Sequence, residues 1–82
     1  MIENREKNVG IVEAARMIGI ELHRLYCWEQ YGVVNPLMRT FGTRKFRRFS
    51  KRDIVRARFV RFLVDKEGYT LKAAVAKLAK RM

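Results

Sequence analysis

Ten cations crowd into residues 36–62: Arg39, Arg44, Lys45, Arg47, Arg48, Lys51, Arg52, Arg56, Arg58 and Arg61, opposed there only by Asp53. Eight of the ten are Arg, whose planar fork can donate two parallel hydrogen bonds to one phosphate. A face kept basic for solubility alone has no use for that fork. Residues 1–35 sum to −1 and residues 63–82 to +3, so the overall +11 is a local field, not a uniform one. Such a field selects a polyanion, and nucleic acid is the commonest. Arg47 and Arg48 are the strongest phosphate candidates, one on each face of a strand. Arg39, Arg44 and Lys45 cluster around Gly42, where a turn could reach a minor groove or its rim. Arg52 and Arg56 stand at i, i+4 and share one side of a helix, while Arg58 and Arg61 point elsewhere and read as solvated.

Other chemistry has little to work with. The single histidine, His23, lacks partners at ligand spacing, and the single cysteine, Cys27, can form no internal disulfide. Cys27 reads as a small apolar residue before it reads as a redox sensor. There are no paired carboxylates, no nucleophile with a base and no phosphate-binding glycine loop. We therefore expect no enzyme, no cofactor and no metal site. No apolar run approaches the ~18 residues of a membrane span, and no signal-like segment opens the chain. The expected location is cytoplasmic, at the nucleoid, with no membrane partner.

Eighty-two residues, 49% of them hydrophobic, suffice for one small folded domain. Residues 1–8 are polar and read as a flexible arm, leaving residues 9–82 as the domain. Ile11, Ala14, Ala15 and Ile18 have helical spacing, and Gly19 stops them. After a short turn, residues 21–30 read as a second helix, with Leu22, Leu25 and Cys27 or Trp28 available for burial and Glu21 at its start. Gly32 ends it and Pro36 prevents its resumption. Two such helices joined by a tight turn with a glycine match a helix-turn-helix. The second helix then offers Glu21, His23, Arg24, Tyr26 and Cys27 near its N-terminal half, where base edges are met. Arg24 is the best guanine candidate, since guanine O6 and N7 accept two parallel hydrogen bonds, whereas Glu21 is more suited to capping the helix.

Leu37–Thr40 and Lys45–Phe49 could be two short strands around residues 41–43. Ser50 then reads as a helix N-cap with Asp53 reaching back to it. The helix runs to about Lys66 before Gly68, and Thr70 caps a last helix with Leu71, Ala74, Val75 and Leu78 on one stripe. The third helix carries two stripes: Ile54, Ala57, Val60 and Val64 on one side, and Val55, Phe59, Phe62 and Leu63 on the other. The second should pack on the last helix or serve a partner, and the intramolecular use is favoured. Trp28, Phe46 and Phe49 are expected in the core. The fold class is mainly α with a small β-hairpin, about four helices in all.

Several stretches carry a likeness, in order: Ile11-Val12-Glu13-Ala14-Ala15 with Gly19-Ile20; Leu25, Trp28-Glu29 and Gly32-Val33-Val34 with Pro36; Gly42; Phe46-Arg47-Arg48-Phe49-Ser50 with Asp53-Ile54; and Glu67-Gly68-Tyr69-Thr70-Leu71. This series resembles the MerR-type winged helix-turn-helix DNA-binding domain over roughly residues 9–79. The resemblance implies a bacterial-type transcription regulator that binds double-stranded DNA, its second helix in the major groove and its hairpin, or wing, on the phosphate backbone. One position departs: the family carries Arg where this chain has Tyr26, whose hydroxyl can still donate to a phosphate but brings no charge.

The contact set expected on these grounds is His23, Arg24, Tyr26, Arg39, Arg44, Lys45, Arg47, Arg48, Arg52 and Arg56. Family members usually pair through a long helix that follows this domain. Here the chain ends at Met82, so it reads either as a domain excised from a longer regulator or as a compact stand-alone member. Pairing would then use that further region or the apolar stripe of residues 55–63. Two rivals share the charge and size: an architectural, DNA-bending factor like the small winged-helix excisionases, and a protein-interaction module.

Overall fold

A computed structural model describes residues 8–81, so the expected arm of residues 1–8 lies, all but Asn8, outside the described residues. Ile11–Ile18 form α1, which buries Ala14, Ala15 and Ile18. It stops at Gly19, whose φ of +89° is left-handed backbone that suits glycine. Leu22–Gln30 form α2, which buries Leu25 and Trp28. Trp28, not Cys27, is thus the inward residue, and Leu22 stays exposed. Glu21 stands at the N-cap position, yet its side chain makes no capping bond. Beyond α2 the chain reverses at Gly32, and the Val33 N–H closes back on the Trp28 carbonyl at 3.0 Å. That closure buries Val33 and Val34, two core positions that helical periodicity does not mark.

Leu37–Phe41 (β1) and Arg44–Arg48 (β2) pair antiparallel, with Leu37 opposite Arg48 and Phe41 opposite Arg44. The expected three-residue turn is in fact two residues, Gly42 and Thr43. Gly42 takes φ +62° at the first loop position, which favours glycine in a tight hairpin. The expected second strand also ends a residue early. Phe49 leaves the hairpin, exchanges two backbone hydrogen bonds with Val9 at 2.7 and 2.9 Å, and is fully buried. The ring thereby pins the base of the hairpin to the start of α1.

Lys51–Asp65 form α3 behind a complete capping box: Ser50 accepts from the Asp53 N–H, and Asp53 accepts from the Ser50 N–H. Leu71–Arg81 form α4, with Thr70 Oγ1 accepting from the Ala73 N–H at 3.1 Å. Helix α3 is the central post, packed against α1 on one side and α4 on the other. Ile54, Ala57, Val60 and Leu63 are its buried residues among the apolar ones. Each large side chain so buried contributes about 1.5–3 kcal/mol. The second stripe is covered only in part: Leu63 joins the core and Phe59 packs against it, but Val55 is 57% and Phe62 49% exposed. With α1 and α4 each taking one side, α3 has a third side left over.

Candidate nucleic-acid interface

The core side chains of α2 decide what that helix shows to the outside. With Leu25 and Trp28 inward, His23, Cys27 and Gln30 at i, i+4 and i+7 fall on the opposite side, and all three are exposed. Tyr26 lies at the edge of this stripe, on the side of the hairpin. Arg47 reaches from β2 across to α2, where its guanidinium sits 5.0 Å from the Tyr26 ring centroid. Its Nε donates to Glu29 Oε1 at 2.7 Å. The helix and the hairpin are therefore locked together by one arginine that carries both a cation–π contact and an ion pair.

Between them runs an open groove lined by Gly10, Ile11 and Tyr26 on one wall and Arg44, Lys45, Phe46, Arg47 and Arg48 on the other. Arg48 Nη2 donates to the Asn8 carbonyl at 2.6 Å, which keeps the full positive charge because the acceptor is neutral. The start of α1 opens into the same groove, and no side chain caps it. Uncapped N–H groups at a helix start favour an anion. Lys45, Lys51 and Arg52 are exposed and make no hydrogen bond or ion pair among the described residues. The cationic groove and the uncharged stripe thus lie side by side around α2, an arrangement suited to a phosphate backbone with base edges beside it.

Three of the other arginines serve the scaffold. Arg24 Nη2 donates to Asp65 Oδ1 on α3 at 2.8 Å, and its guanidinium stands 5.0 Å from the Trp28 ring centroid. The hydrogen bond from Arg24 holds the Asp65 carboxyl below its ordinary pKa of 3.8, with Arg61 adding to the effect. Arg61, expected to be merely solvated, also lies 3.4 Å from both Asp65 Oδ2 and the Ile18 carbonyl at the end of α1. Arg56 folds toward the Gly32 carbonyl at 3.5 Å, with its Nε buried and unpartnered. Each of these two arginines meets a carbonyl at or just past a helix C-terminus, where such groups lack partners.

The structure thus gathers Tyr26, Arg44, Lys45, Arg47 and Arg48 around one groove and leaves His23 on the adjoining stripe. Arg24 faces α3 instead, and Arg39, which shares the outer face of the hairpin with Arg44 and Arg48, does not line the groove as they do. Sequence reading missed Glu29, Asp65 and Gln30. Gln30 was findable, since it repeats the helical spacing from His23 through Cys27; the two acidic partners come from distant parts of the chain and carry no local signal. Phe46 is a correction, since it is 37% exposed, not buried. Strand alternation puts it on the face opposite Arg47, where no helix covers it.

Among the described residues, no group of three or more His, Cys, Asp or Glu could hold a metal ion, and no helix is long and apolar enough to cross a membrane. A family model described as MerR HTH family regulatory protein matches residues 10–81. No curated protein matches the chain.

Proposed function

The chain belongs to the MerR family of HTH regulatory proteins, a DNA-binding family, and from that membership we propose a specific way of engaging double-stranded DNA. Helix α2 enters the major groove and presents His23, Cys27 and Gln30 to base edges, with Tyr26 at the flank. Gln pairs with adenine through N6 and N7, but Gln30 is the last residue of α2, so His23 near its start is the better placed to discriminate. Arg44, Lys45 and Arg48 of the hairpin grip the adjacent backbone, and Lys51 and Arg52 extend the grip along α3. Arg47 and Arg56, held by Glu29 and the Gly32 carbonyl, position this surface and meet phosphate only on leaving those partners. A guanine contact by Arg24 requires it to exchange Asp65 for the base.

The observation that carries this reading is the Arg47 lock, with its 2.7 Å bond to Glu29. It sets the cationic hairpin at a fixed position beside the exposed side of α2, so that one rigid surface offers phosphate and base contacts together. A single short helix reads few base pairs, so useful specificity comes from two copies on a repeated or palindromic site.

The test is selection of the protein against a random duplex library, with the winners titrated over salt. A shared half-site motif, bound well above the random pool, is the expected result. Tight, salt-sensitive binding with no motif would replace the sequence-reading role by an architectural one, and no duplex binding at low salt would remove the reading.

A further inference from the structure

The register of the hairpin sorts its residues into two chemically different faces. Cross-strand partners share a face, and alternate residues along a strand change face. Met38, Thr40, Lys45 and Arg47 lie on the side turned to α2. Leu37, Arg39, Phe41, Arg44, Phe46 and Arg48 lie on the other. That outer face alternates arginine with apolar or aromatic side chains and includes no carboxylate. Phe41 is 68% exposed, a high value for a phenyl ring in a domain that buries Phe49 completely.

The rings are arranged, not merely uncovered. Phe41 and Phe46 meet edge to face, with centroids 5.9 Å apart and planes at 62°. The Arg44 guanidinium stands 5.3 Å from the Phe46 ring centroid, which leaves Phe41 as the more open ring. Arg39, Phe41, Phe46 and Arg48 line an open hollow on this face. The open face of the Phe41 ring, flanked by two guanidinium groups, matches a nucleobase with its neighbouring phosphates.

We propose that this outer face of the hairpin is a binding site for single-stranded nucleic acid: an unpaired base stacks on Phe41 against the edge of Phe46, and Arg39 and Arg48 hold the phosphates on either side. Duplex DNA cannot use the site in this way, because both faces of its bases are already stacked. Charge argues against a second copy of this face as the occupant, since three arginines without a carboxylate would meet three more. The site shares Arg48 with the duplex-facing groove, but Arg39 and Phe41 line only this outer hollow, so the test is made at Phe41.

The experiment is fluorescence anisotropy of labelled dT8, with rU8 in parallel to establish which sugar is preferred, at about 50 mM salt, where phosphate contacts are strong. Wild type, Phe41→Ala and Phe41→Trp are compared after circular dichroism confirms the fold, and sedimentation reports self-association. Loss of one base stack predicts that Phe41→Ala weakens binding of the preferred oligomer by about 5- to 150-fold. Phe41→Trp retains the affinity, and its indole fluorescence is quenched on binding. Absence of binding by either oligomer overturns the proposal, as does equal affinity of Phe41→Ala and wild type. Self-association that Phe41→Ala abolishes, with neither oligomer bound, reassigns the face to a protein contact.

Discussion

Asp53 is the one buried charged residue among those described, and replacing it by Ala should be strongly damaging although it leaves the hydrophobic packing intact. Its carboxylate accepts from the Asn35 N–H at 2.9 Å and the Ser50 N–H at 3.1 Å, and the Asp53 N–H donates to Ser50 Oγ at 3.2 Å. Loss of a capping interaction costs about 1 kcal/mol, and a buried N–H left without a partner costs about 1–3 kcal/mol. The sum is about 2–4 kcal/mol, against a total stability of roughly 4–12 kcal/mol for a domain of this size. The midpoint of thermal unfolding should drop by roughly 10–30 °C. Asp53→Asn keeps one acceptor oxygen and should lose about half as much. Circular dichroism with urea and thermal melts measures both variants. A loss below about 1 kcal/mol for Asp53→Ala would refute the reasoning, because it would mean that the Asn35 N–H was never dependent on the carboxylate. Asn35 precedes β1 and Ser50 follows β2, so the same side chain holds both ends of the hairpin segment. Duplex affinity should therefore fall in Asp53→Ala even at temperatures where it remains folded.

Asp65 titrates below 3.8 in the folded state, so its contribution to stability is present above that pH and is lost as the pH falls through the folded value. Both partners of the Arg24–Asp65 pair are about one third exposed, which limits the contribution to under about 1 kcal/mol. Asp65→Asn should lower the urea midpoint slightly at pH 7 and converge on wild type as the pH falls below 3.8 and the Asp65 carboxylate is protonated; a gap that persists in acid would show that charge is not the cause. Glu29→Gln removes the carboxylate that neutralises Arg47, so duplex binding should tighten at low salt, and the slope of log affinity against log salt should steepen by about one. An unchanged slope would mean that Arg47 does not face phosphate.

The helix boundaries were legible because each is enforced locally. Gly19 ends α1, Ser50 with Asp53 opens α3, and Thr70 opens α4, all through backbone geometry or caps within a few residues. The hairpin was legible in outline only, since the choice between a two- and a three-residue turn rests on whether Phe41 pairs with Arg44. Where the second strand ends is set from further off, because Phe49 bonds to Val9, 40 residues away in the chain. The same non-local bonding explains why Phe49 is core and Phe46 is not, although both looked alike as rings beside arginines. Candidate contact residues on the hairpin could be named from charge alone. The fate of Arg24 could not, because Asp65 lies 41 residues later and only the packing of α2 against α3 brings the two together.

Net charge overstates what this protein can offer a polyanion. Arg24, Arg47 and Arg61 are paired with carboxylates, and Arg56 and Arg61 close carbonyls left at the ends of α2 and α1. Arg48 also serves the scaffold, but its acceptor is a neutral carbonyl and its charge remains whole. Around the groove and the start of α3, the uncompensated charges are Arg44, Lys45, Arg48, Lys51 and Arg52. Five neutralised phosphates give a slope of log affinity against log salt of about −4.5, half of what the +9 of residues 36–62 would suggest if all of it met DNA. Salt titration of the selected duplex measures this directly. A slope steeper than about −7 would require Arg47, Arg56 and Arg24 to leave their partners on binding, and the rigid-scaffold view of these arginines would then be wrong. A slope shallower than about −2 would mean that the groove and α3 do not act on the backbone together, and that α2 meets DNA without the hairpin that Arg47 holds beside it.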